Sequence, residues 1–73
     1  MKTIDNTHGQ RPKENQEFNL TIEFNNGAKY SYSGQTKKEC LKQFEQKWGN
    51  FKGFVSKEWN MYDSELTGYV DYN

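Results

Sequence analysis

Residues 24–34 read "FNNGAKYSYSG", and the position of the turn in this stretch decides where Tyr30 and Tyr32 go. The preceding residues 18–24, "FNLTIEF", alternate strictly. Phe18, Leu20, Ile22 and Phe24 fall on one face, and Asn19, Thr21 and Glu23 on the other. Such a period of two marks a half-buried strand. "AKYSYS", 28–33, alternates as well, with Ala28, Tyr30 and Tyr32 in phase. Directly opposed residues of an antiparallel pair share a face. A two-residue turn at Asn26-Gly27 would set Ile22 opposite Ser31 and send both tyrosines out beside Glu23 and Thr21. A three-residue loop, Asn25-Asn26-Gly27, sets Phe24 opposite Ala28, Ile22 opposite Tyr30 and Leu20 opposite Tyr32. A slip of one residue flips every side chain, so burial selects the register. The three-residue loop is therefore expected, with Gly27 in the left-handed position of a type I turn with a bulge.

Downstream, "GQTKKECLKQFEQKWGN" carries helix signals. Thr36, with Glu39 three residues on, forms a capping box that satisfies free amide donors at a helix start. Leu41, Phe44 and Trp48 keep i, i+3, i+7 spacing, with Cys40 one turn before Phe44. Gly49 stands where a left-handed C-terminal cap is wanted. These signals predict a helix over 37–48 whose apolar stripe packs on the sheet. "FVSKEWNMY", 54–62, alternates imperfectly: Val55, Trp59 and Met61 share one parity with Lys57, while Phe54 and Tyr62 take the other. "DSELTG" supplies a turn, and "YVDY", 69–72, reads as a last short strand. The expected fold is α+β, a single helix packed on a small antiparallel sheet, in the order β-β-α-β-β. A right-handed crossover brings the third strand beside the first, giving spatial order 2-1-3-4. Residues 1–16, "MKTIDNTHGQRPKENQ", hold one aliphatic residue after Met1, with Gly9 and Pro12 as breakers. They read as a flexible tail ahead of a single domain at 17–73.

Seventy-three residues allow one domain with a core near the lower limit for independent folding, worth about 3–8 kcal/mol once a tail is discounted. Mean hydropathy is −1.25, which alone would suggest disorder. The 16% aromatic content supplies a core instead, since each such side chain buries much area. The single cysteine, Cys40, excludes an intrachain disulfide. No apolar stretch resembles a signal peptide or a membrane span, so "NLT" at 19–21 is read as a chance sequon and a cytoplasmic location is expected.

Chemistry is thinly represented. His8 and Cys40 are too few for a metal site, and Cys40 on the apolar stripe is a small buried hydrophobe rather than a nucleophile. The glycines are isolated turn and cap residues, with no phosphate-cradling spacing. Glu58, Asp63, Glu65 and Asp71 cluster in sequence but read as solvated turn and strand positions. No cofactor and no catalysis are expected.

Charge is more informative in its distribution than in its sum of zero. Residues 28–53 hold six lysines against two glutamates, and 54–73 hold Lys57 against Glu58, Asp63, Glu65 and Asp71. Two surfaces follow. The first is an open sheet face and acidic C-terminal edge, with Glu58, Tyr62, Asp63, Glu65, Tyr69, Asp71 and Tyr72 as candidate partner-binding residues and Phe54 a further aromatic. The second is a basic helix side, Lys37, Lys38, Lys42, Lys47 and Lys52, which could contact the phosphates of RNA or single-stranded DNA with rim tyrosines as stacking platforms.

"FNLTIEFNNGAKYSYSG" followed by "TKKECLKQFEQKWGNFKGFVSKEW" resembles very small phage-encoded proteins, among them some anti-CRISPR proteins, which pack one helix on a short antiparallel sheet. The resemblance lies in element order over residues 18–72 and in the "FKGFV" exit from the helix. It implies a stoichiometric inhibitor acting in the bacterial cytoplasm, which blocks a host enzyme or defence complex without chemistry of its own. The "FNNGAKYSYSG" hairpin is also similar to the strand pair of the KTSC domain, which implies RNA contact instead. A monomer or weak homodimer is expected, and a self-associating structural or regulatory protein is the third reading.

Overall fold

A computed structural model describes residues 2–49 and 53–72. Its elements are β1 (Lys2–Asp5), β2 (Gln16–Phe24), β3 (Lys29–Gly34), α1 (Lys37–Trp48), β4 (Phe54–Asp63) and β5 (Gly68–Tyr69). The sheet runs β1-β4-β2-β3, with β5 also paired to β4.

The hairpin closes as burial requires. Gly27 N donates to Phe24 O (3.0 Å) and Phe24 N to Ala28 O (2.8 Å). Ile22 then faces Tyr30 and Leu20 faces Tyr32. Asn26 Oδ1 accepts from Ala28 N at 3.0 Å, and Gly27 takes φ +89°. Both tyrosines lie on the helix side, at its rim. Tyr32 is half-buried, and its hydroxyl accepts from Trp48 Nε1 at 2.6 Å. Tyr30 stays 41% exposed while its ring meets Phe24 and Trp48 at 5.4 and 5.2 Å. A Cβ at residue 27 would touch nothing within 4 Å, so Gly27→Ala tests backbone conformation alone. The expected cost is about 1 kcal/mol, read as a lower chemical-denaturation midpoint with an unchanged slope.

The helix spans 37–48 as its signals predict. Thr36 Oγ1 accepts from Glu39 N (3.1 Å), while the Glu39 carboxylate reaches back one residue further, to Gln35 N (2.8 Å). Gly49 ends the helix at φ +61°, its N–H bonding Glu45 O. Cys40 and Phe44 are buried against the sheet, with Leu41 and Trp48 at the margin. The core comprises Phe18, Leu20, Ile22, Phe24, Cys40, Phe44, Trp59 and Met61, so the cleanest alternating strand lies at its centre.

Three features depart from expectation. First, the sheet is mixed and five-stranded rather than antiparallel throughout. β4 does lie beside β2, but β1 pairs in parallel with residues 56–59 of β4, and β5 pairs antiparallel with Tyr62 and Asp63. Second, β1 belongs to the segment expected as a tail. A short polar strand has no apolar alternation to announce it. It is held by ladder bonds and by Asp5, whose carboxylate accepts from Thr7 N (2.9 Å) and Thr7 Oγ1 (2.6 Å) and pairs with Lys37. Thr7 is fully buried. Third, the β2–β4 register shifts between Glu23 and Phe24, so that Glu23 faces Ser56 but Phe24 faces Phe54. Val55 is the extra residue of this bulge and stays 43% exposed. A bulge re-aims its neighbours: Phe54 turns to the helix side and stacks edge-on against Phe44 at 5.8 Å. Phe54 is thereby partly buried against the core and does not belong to the open face.

Candidate partner-binding face

Because opposed residues share a face, the register that buries Phe18, Leu20 and Ile22 fixes what lies opposite the helix. β2 contributes Glu17, Asn19, Thr21 and Glu23. β4 contributes Ser56, Glu58, Asn60 and Tyr62, and β3 contributes Lys29, Ser31 and Ser33. β5 adds Tyr69 beside Tyr62. No helix covers this side among the described residues, since α1 packs on the other.

The face carries two hydrogen-bonded polar clusters and, at one end, an aromatic pair. Tyr62 and Tyr69 meet edge to face, centroids 6.5 Å apart at 85°. The Tyr69 hydroxyl donates to Asn19 Oδ1 at 2.9 Å, which also accepts from Thr21 Oγ1 at 3.2 Å. Thr21 Oγ1 lies 3.2 Å from Ser31 Oγ. On the other flank Asn60 Nδ2 donates to Glu58 Oε2 (2.8 Å) and Asn60 Oδ1 accepts from Asn6 Nδ2 (3.0 Å). Side chains of β2, β3 and β5 thus hold one another in place, and the Tyr62–Tyr69 contact ties β4 to them. Three carboxylates, Glu17, Glu23 and Glu58, stand on this layer, with Lys29 opposite Glu23 at the β3 edge. Such an arrangement offers hydrogen-bond acceptors, negative charge and two flat rings.

Of the residues expected on this surface, Glu58, Tyr62 and Tyr69 are brought together. Glu65 is exposed in the turn after β4, and Asp71 is exposed beyond β5. Tyr72 is half-buried and packs against the core margin, its ring 6.2 Å from His8. Asp63 is different: it falls on the helix side, is 6% exposed, and holds the chain together. It accepts from Gln16 Nε2 (2.9 Å), Asn15 Nδ2 (2.8 Å), Glu65 N (2.8 Å) and Leu66 N (3.2 Å). The Gln16 amide, then the two turn amides and Asn15, hold its carboxyl below the usual range against the opposing push of burial. Asp63 is a structural acid, not a surface one. Sequence reading missed Glu17 and Asn19 as site residues. Their signal was present in the outward positions of β2, but only pairing with β4 and β5 shows that they adjoin Tyr62 and Tyr69.

The lysines divide. Lys37 is tied to Asp5, and its ammonium lies 5.8 and 5.3 Å from the Phe18 and Trp59 ring centroids. Lys38, Lys42 and Lys47 are exposed along α1. Lys52 lies outside the described residues. Tyr30 and Tyr32 pack on Trp48 and Phe44, with Tyr32 half-buried and Tyr30 still partly exposed. Cys40 is fully buried and its thiol contacts Phe18 O at 3.7 Å. Burial, then the Glu39 and Glu17 carboxylates, push its pKa up to about 11, which leaves it protonated and inert. Among the described residues no group of three or more His, Cys, Asp or Glu could hold a metal ion. No helix there is long and apolar enough to cross a membrane.

The fold and this face define a one-helix α+β protein with an open, acidic and aromatic sheet surface. Comparison with known proteins returns no matching family model, no matching curated protein and no matching solved structure.

Proposed function

We propose that this protein is a non-catalytic binding module that docks through its open sheet face onto a basic, nucleic-acid-binding surface of another protein. In that role it acts as a small phage or mobile-element inhibitor that excludes nucleic acid by occupying its site. The observation that carries this reading is the meeting of Glu17, Glu58, Tyr62 and Tyr69 on one face. Aromatic side chains are favoured interface anchors, and carboxylates beside them supply complementarity to a cationic surface. The hydrogen bonds that fix Asn19, Asn60 and Tyr69 also lower the entropy lost on docking.

The test is capture of a bacterial partner followed by measurement of that partner's nucleic-acid affinity. The double variant Glu17→Lys/Glu58→Lys is expected to weaken capture roughly tenfold or more, while Lys38→Glu/Lys42→Glu retains it. The wild-type protein should also compete with nucleic acid for the captured partner. The reverse pattern, with direct nucleic-acid binding by the wild type that falls steeply with salt, would replace this reading with one built on Lys38, Lys42 and Lys47.

A further inference from the structure

We infer that β3 is the seat for a second copy of this chain, which pairs with it antiparallel about Ser31 to form a two-fold dimer with one continuous sheet. The inference is independent of the docking reading above. β3 ends the order β1-β4-β2-β3, so its outer side has no neighbouring strand among the described residues. The opposite edge is divided. There β1 and β5 meet β4 from opposite ends, with Asn6 N on Trp59 O and Val70 N on Met61 O (2.9 and 2.8 Å), and leave a gap over Asn60. β3 is six residues long, pairs with β2 without a bulge, and holds neither proline nor an acidic side chain. Proline, bulges and charges are the usual means of blunting an exposed edge, and β3 has only Lys29 at its start.

The hydrogen-bond pattern selects the register. Phe24 N donates to Ala28 O (2.8 Å), and along an antiparallel strand the backbone groups alternate between facing the paired strand and facing away. Tyr30, Tyr32 and Gly34 therefore direct their N–H and C=O to β2, while those of Lys29, Ser31 and Ser33 point outward. Gln43 Nε2 donates to Ser33 O at 2.6 Å, as that outward direction requires, and a carbonyl oxygen keeps a second lone pair. In the register centred on Ser31, that residue exchanges both bonds with Ser31 of the second copy. Lys29 does so with Ser33 of the second copy, and Ser33 with its Lys29. No outward group is left over. The side chains fit the same axis. Tyr30-Ser31-Tyr32 reads the same in both directions, which suits an isologous contact. Tyr30, 41% exposed, comes opposite Tyr32 of the second copy in the non-hydrogen-bonded kind of pair, where side chains lie closest. Lys29 faces a serine and not another lysine. The axis stands perpendicular to the sheet, so both helices lie on one side and both acidic faces on the other.

The experiment is sedimentation equilibrium of the full chain over rising concentration. The contact is one strand per copy, smaller than a standard interface, so dissociation is expected in the micromolar range and not the nanomolar. Ser31→Pro removes an outward N–H and no ladder bond to β2, a position where an edge strand tolerates proline. It should weaken the dimer at least about tenfold. Ser31→Lys and Ser31→Glu each set like charges opposite one another on the axis, and each alone should sediment as a monomer, with circular dichroism reporting that it is folded. Mixed in equal amounts they should form a heterodimer, because residue 31 meets itself only in this register. In a half-labelled wild-type sample, an isotope-filtered NOE should join Tyr30 Hα to Tyr32 Hα of the other copy. A wild-type chain that stays monomeric at about 1 mM, a dimer indifferent to Ser31→Lys, or a charge-mixed pair that fails to associate overturns the inference. Self-association lost in Glu58→Lys but kept in Ser31→Pro places the contact on the open face and likewise overturns it.

Discussion

Leu20→Ala is expected to remove a large share of the protein's folding free energy. Leu20 is wholly buried in the central strand, opposite Tyr32 on one side and Trp59 on the other. Truncating a buried leucine costs about 2–5 kcal/mol, because the lost transfer energy is joined by that of the cavity left behind. Ordering of residues 2–16 raises the expected stability of the 73-residue chain to about 4–11 kcal/mol, so one such deletion removes much of it. Collapse into the cavity is limited because both neighbours are large rings, and Tyr32 is pinned by Trp48. Urea denaturation followed by tryptophan fluorescence should show a large fall in midpoint. A midpoint within experimental error of wild type would contradict the placement of β2 at the centre of the core.

Asp63→Ala is expected to be the most damaging substitution of a charged residue. Four donors converge on this carboxylate, from the segment before β2, from β2 itself and from the turn before β5. Its removal strands the buried Gln16 amide and frees two turn N–H groups at once, and unsatisfied buried donors carry their full desolvation cost. Asp63→Asn, which keeps one acceptor oxygen, should fall between alanine and wild type. A pH titration gives an independent reading. Burial pushes the Asp5 carboxyl up, but hydrogen bonds from Lys37 and from the Thr7 side chain and backbone outweigh it and bring the pKa to about 2. Asp63 is lowered as well. A carboxyl with a depressed folded pKa stabilises the protein above its unfolded value of about 4 and ceases to do so as pH falls through the folded one. Stability should therefore be flat near neutrality and fall between about pH 4 and pH 2. Asp5 is well exposed, at 41% for its side chain, so solvent screening limits its share to about 1 kcal/mol. Asp63→Ala should flatten the acid limb. An acid limb unchanged in both Asp5→Asn and Asp63→Ala would exclude these two carboxylates as its source.

The residues that announced themselves did so through local chemistry. "FNLTIEF" alternates, Gly27 permits a left-handed turn, and Thr36, Glu39 and Gly49 bracket a helix with an apolar stripe. All of these signals act within a few residues of one another, and the hairpin register and the helix limits follow from them. The acidic and aromatic character of the C-terminal third was legible too, and Glu58, Tyr62 and Tyr69 do share a face. What sequence reading lost were features whose cause lies across the chain. Asp63 looked like one turn acid among several, and it is a hub only because Asn15 and Gln16 return to it from 47–48 residues away. Glu17 and Asn19 looked like ordinary outward positions until β4 and β5 placed Tyr62 and Tyr69 beside them.

By itself, then, the order of residues determined which segments alternate, where the hairpin turns, which side of β2 is apolar and where the helix starts and stops. These are choices that burial and local hydrogen bonding settle without reference to distant parts of the chain. Tertiary structure alone decided that Lys2–Asp5 becomes a parallel edge strand, that the bulge at Val55 turns Phe54 inward, and that β1 and β5 share one edge with a gap over Asn60. Polar strands, bulges and buried carboxylates are stabilised by partners that the chain supplies only once it has folded.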